Sequence, residues 1–90
     1  MFLRLIREAV GLSTIDLAAR SGYAPDFIRR IETGVKDCSQ EAQRTISSVL
    51  SCTPADLLAE PSPVRLAEIK AIYTRLAADA AQQAAEGMAS

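Results

Sequence analysis

The chain has 90 residues, 49% of them apolar and only 4% aromatic, with a net charge of −1 and an isoelectric point near 5.3. That length permits one small domain with little core to spare, and an alanine-rich, aromatic-poor composition favours closely packed helices over a sheet. The sequence has no histidine, two cysteines, no Gly-rich phosphate loop and no nucleophile motif, so catalysis, a metal and a cofactor are not expected.

Phe2, Leu3, Ile6 and Val10 fall on one stripe at helical spacing, which predicts a first helix over residues 2–10, stopped by Gly11. The charges within it exclude a secretory or membrane-spanning segment, so a cytoplasmic protein with reduced Cys38 and Cys52 is expected. Ser13 is placed to cap a second helix over residues 14–20. The turn Ser21-Gly22-Tyr23-Ala24 follows, where glycine lets the chain reverse within few residues. Pro25 suits the first turn of a third helix, and Gly34 its end.

Across that turn Ile15, Leu17 and Ala18 are expected to mesh with Phe27, Ile28 and Ile31. This leaves Asp26, Arg29, Arg30 and Thr33 on the opposite, wet side of the third helix. A short helix with such side chains outward has the equipment of a major-groove reader. Ser39 then caps a fourth helix over residues 40–51, with Ala42, Ile46, Val49 and Leu50 inward. Thr53, Pro54 and Asp56 open a short fifth helix, on which Leu57 and Leu58 are expected to close the core. Residues 1–60 thus read as one domain.

Pro61-Ser62-Pro63 is a break, and Ser62 and Pro63 can cap and start another helix. The stretch from there to about Glu86 carries Leu66, Ile69, Tyr73, Leu76 and Ala80 at spacings of 3, 4, 3 and 4, with Ile72 widening the stripe. This is a short heptad seam. Such a face either packs back on its own domain or meets a second copy; residues 61–90 are read as a dimerisation helix with a frayed end over Gly87–Ser90.

The elements Gly11-Leu12-Ser13, Leu17-Ala18, Gly22 and Ile28-x-x-Ile31-Glu32-x-Gly34 resemble the helix-turn-helix of the lambda Cro/repressor, or XRE, family. Leu50-Ser51-Cys52-Thr53-Pro54-Ala55-Asp56-Leu57-Leu58 is similar to the junction of that family's fourth and fifth helices, so the resemblance spans about residues 2–59. It implies an all-α, five-helix DNA-binding domain, here with an added C-terminal helix. The expected function is sequence-specific binding of double-stranded DNA by a homodimer on an inverted repeat, regulating transcription.

The resemblance also assigns roles. Arg30 stands where a base contact is made, and its fork suits the O6 and N7 of guanine. Arg29 points about 100° away, toward a phosphate or a nearby acid. Asp26 either accepts from cytosine N4 or complements the helix dipole. Pro25 can touch a thymine methyl, Thr33 shares the exposed face, and Lys36 is the one base left in the following loop. Thr14 replaces the family's usual glutamine at a phosphate-binding helix start. Arg7 matches a first-helix base that pairs with an acid near the end of the third helix, here Glu32. Ser21 and Ala24 depart from the family's usual apolar residue and capping serine.

Charge is distributed unevenly: residues 1–52 hold seven bases and six acids, residues 53–90 three bases and five acids. Two rival readings remain: the antitoxin of a toxin–antitoxin pair, which would also bind DNA, and a protein-binding module that kept the fold and lost DNA, which the acidic balance and the sparse basic loop support. No membrane association and no small-molecule ligand are expected. The operator, the regulated gene and the sign of regulation are not encoded legibly.

Overall fold

The computed structural model describes the backbone of residues 1–89 and the side chains of residues 1–79. It contains α1 (Leu3–Val10), α2 (Thr14–Ser21), α3 (Pro25–Glu32), α4 (Gln40–Val49), α5 (Pro54–Leu58) and α6 (Pro63–Ala89). Among the described residues there is no strand, and no helix is long and apolar enough to cross a membrane. The backbone is helical through Ala89, where fraying was expected over Gly87–Ser90; Ser90 and the side chain of Ala80 lie outside the described residues.

Local signals set the boundaries. Ser13 Oγ accepts from the Asp16 N–H at 3.0 Å, Ser39 Oγ from Ala42 at 3.2 Å and Ser62 Oγ from Arg65 at 3.1 Å. Each satisfies a backbone donor that a helix start leaves orphaned. Gly22 ends α2 at φ +81°, a left-handed conformation that favours glycine and turns the chain sharply into α3. At the start of α5 the Asp56 carboxylate accepts from the Thr53 N–H at 2.9 Å.

The core is one cluster drawn from every helix: Leu3, Ile6, Leu17, Ala18, Ile28, Ile31, Ala42, Ile46, Leu50, Leu57 and Ile69, with Leu12 from the first loop. α2 packs on α3 and α4, α4 on α5, and α1 on α3 and α6. Two residues expected inside lie outside. Ile15 is exposed because it sits two positions from Leu17, about 200° around the helix. Leu58 is exposed because α5 is a five-residue turn with one inward face, which Leu57 takes. Val49 is only half-buried, while Ser47, unnoticed in the pattern, is buried with its hydroxyl donating to the Arg44 carbonyl at 3.1 Å.

The seam on α6 is divided rather than uniform. Ile69 is fully buried within its own chain, and Leu66 and Tyr73 lean on the same core. The apolar stripe of α1 is covered by this return of α6; burying one isoleucine there contributes about 1.5–3 kcal/mol. Arg65 anchors the start of α6, donating from Nε to Asp56 Oδ1 at 3.0 Å and from Nη2 to Oδ2 at 2.9 Å. Arg20 of α2 donates to the Tyr73 hydroxyl and lies over its ring, 5.7 Å from the centroid. Ile72 is half-buried, and Leu76 is exposed.

Candidate nucleic-acid interface

The packing of α3 determines what it can show to a partner. Ile28 and Ile31, three residues apart, are buried and seat the helix on α1 and α2. Glu32 closes the inner side. Arg7 Nε donates to Glu32 Oε1 at 2.6 Å and Nη2 to Oε2 at 3.4 Å, while Nη1 donates to the Leu12 carbonyl at 2.8 Å. The side chains of this pair are only 11% and 8% exposed. A two-pronged guanidinium–carboxylate contact resists rotation as well as separation, so α3 is held to α1 at a set orientation.

With that side engaged, Asp26, Arg29, Arg30 and Thr33 lie on the exposed side of α3. They are not independent groups. Arg30 Nε lies 3.1 Å from Asp26 Oδ2, one helical turn earlier, and both side chains remain largely exposed. The Thr33 hydroxyl donates back to the Arg29 and Arg30 carbonyls at 3.0 and 3.3 Å, so its donor serves the end of α3. Arg29 is exposed beside them. Pro25 is half-buried at the first position of α3. Thr14 is half-buried at the first position of α2.

Lys36 follows α3 in a turn whose N–H donates to the Arg30 carbonyl at 3.2 Å. Its ammonium lies 5.3 Å from the centre of the Phe27 ring, within the range of cation–π attraction. Phe27 itself stacks on Tyr23, with centroids 4.7 Å apart and planes 18° from parallel. The pair is half-buried against the core, forming an aromatic ledge that carries the lysine beside the exposed face of α3. Tyr23 had no assigned role in the sequence reading. The signal was its four-residue spacing from Phe27, masked because the turn separates it from the helix.

Of the residues assigned from the sequence, Thr14, Pro25, Asp26, Arg29, Arg30, Thr33 and Lys36, three are cations and one is a carboxylate. The guanidinium donors of Arg29 and Arg30 stand on the eight-residue helix α3. Among the described residues no group of three or more metal-ligating side chains converges. Both cysteines are free; burial raises the Cys38 thiol, and pushes that of Cys52 up to about 12 with Asp56 adding to the effect. The two are therefore protonated and poorly nucleophilic at neutral pH.

A family model described as a helix-turn-helix domain matches residues 1–60. No curated protein and no solved structure matches the chain.

Proposed function

The chain belongs to the helix-turn-helix domain family, and from that membership we propose that it is a sequence-specific double-stranded-DNA-binding transcriptional regulator acting as a homodimer. The observation that carries the reading is the division of α3: Glu32 is tied inward to Arg7, and Arg29 and Arg30 are left outward and uncovered. In this reading α3 enters the major groove. Arg30 contacts a base, Arg29 and Lys36 meet phosphates, and Thr14 and the N–H groups at the start of α2 hold the backbone of the duplex. Pro25 and the methyl of Thr33 supply apolar contact. Two copies would place their α3 helices about 34 Å apart on an inverted repeat.

Dimerisation in this reading falls to the part of the α6 stripe that its own core leaves free. Leu76 is exposed there, beside a groove of about 260 Å³ that it lines with Arg20, Val49 and Tyr73. Truncation after Glu60 would remove Ile69 from the core and is therefore a poor test of the dimer. The sharper variant is Leu76→Asp, which should shift sedimentation from dimer to monomer without loss of helicity. An unchanged dimer would place the interface elsewhere.

The test of function is a gel-shift titration on duplexes selected from a random-sequence pool. Arg30→Ala should retain the circular dichroism of the wild type and lose specific binding. Unchanged affinity would remove Arg30 from the reading face. The second reading, a protein-binding module, draws on the net charge of −1 and on the acid beside Arg30; it predicts no sequence selection at any salt concentration.

A further inference from the structure

The contact between Asp26 and Arg30 carries a consequence for which bases α3 reads. An exposed i,i+4 ion pair does little for folding, yet it sits at the centre of the outward face, where a partner would meet it. Asp26 Oδ2 faces Arg30 Nε as an ion pair at 3.1 Å. A guanidinium has five N–H donors in a planar fork. A carboxylate beside Nε leaves the four donors of the two terminal nitrogens unengaged by Asp26 and, by attraction, draws the Nε side of the guanidinium toward it. Those two nitrogens, end on, form the fork that matches the O6 and N7 of guanine.

We propose that Asp26 is a positioning residue for Arg30: it orients the guanidinium for end-on recognition of one guanine and does not itself read a base. This rests on the DNA-binding reading of α3 and deepens it. The carboxylate has a second effect. It places a negative charge among the cations that would otherwise attract any phosphate, so the pair lowers affinity for arbitrary duplex while sharpening the choice of base. Asp26 and Arg30 then form a selectivity unit, distinct from Arg29 and Lys36, which act on the backbone whatever the sequence.

The experiment selects preferred sites from a random-sequence duplex pool with wild type, Arg30→Ala and Asp26→Ala, and titrates each protein on the wild-type site, on single-base variants and on random duplex. The Arg30→Ala profile identifies the base pair that the arginine reads. Asp26→Ala should lose preference at that same base pair, with discrimination against its replacement falling by roughly tenfold. Its affinity for random duplex should rise. Asp26→Glu, which keeps a carboxylate one turn from Arg30, should restore part of the preference. A purely structural role at the helix start would weaken binding to all duplexes alike, and would overturn the proposal. Loss of preference at a different base pair would overturn it too, since Asp26 would then read its own base; so would an unchanged profile. A wild type that selects no sequence overturns the proposal together with the DNA-binding reading, and so separates the two failures.

Discussion

On the inner side of α3, Glu32 meets Arg7 with side chains 8% and 11% exposed; on the outer side, Asp26 meets Arg30 with side chains 66% and 61% exposed. Each is a carboxylate facing a guanidinium, yet they serve different ends. Water screens the outer pair, so its attraction is small and its groups stay accessible to a ligand. The inner pair has given up most of its hydration and cannot lose one member without stranding the other. Position relative to solvent, rather than the chemistry of the groups, thus separates a contact that holds the domain from one that is free to act.

The comparison is broken most severely at Arg7. Replacing Arg7 by Ala leaves the Glu32 carboxylate buried without its partner and should cost about 3–5 kcal/mol in a urea denaturation. The double replacement Arg7→Met with Glu32→Leu should recover most of that loss, because stranding rather than absence carries the penalty. If the double variant is as unstable as the single one, the pair contributes specific geometry that apolar packing cannot replace.

An intermediate case sharpens the contrast. Asp56 is largely sheltered and Arg65 about one-third exposed. The carboxyl of Asp56 is held well below the usual carboxylate range, chiefly by the Arg65 hydrogen bonds, against an opposing push from burial and with help from Thr53. Arg65→Ala should cost roughly 1.5–3 kcal/mol at neutral pH, toward the lower end because solvent reaches the guanidinium. A carboxyl whose folded value is depressed contributes fully above its unfolded value, about 4, and loses that contribution as pH falls toward the folded value. The gap in melting temperature between wild type and Arg65→Ala should therefore be constant from about pH 5 to 8 and shrink below about pH 4. A gap that does not narrow in acid would show that the loss lies in packing of α6 rather than in the ion pair.

The smallest effect is expected outside. Arg30→Ala and Asp26→Ala should each change stability by only about 0.3–0.5 kcal/mol, while their DNA profiles change sharply. Equal losses of stability at the inner and outer pairs would dissolve the distinction.

Much of the fold was legible because much of its information is local. Ser13, Ser39 and Ser62 cap within three residues of themselves, and Gly22 turns the chain by its own backbone freedom. The buried set Leu3, Ile6, Leu17, Ala18, Ile28, Ile31, Ala42, Ile46, Leu50 and Leu57 follows from spacing along each helix. The Asp26–Arg30 contact was legible too, at a spacing of four, but was read as two separate groups.

What tertiary structure alone decided is how the helices divide their surfaces among partners. The seam of α6 shows regular spacing whether it meets its own domain or another, and only the packed chain assigns Ile69 and Tyr73 to the first. Asp56 looked complete as a cap until Arg65 arrived from nine residues on. Ile15 and Leu58 were apolar enough for a core that had no face left to receive them. Periodicity states which residues share a side of one helix; which side finds apolar neighbours depends on how every other helix has already been placed, and that is a property of the assembled volume.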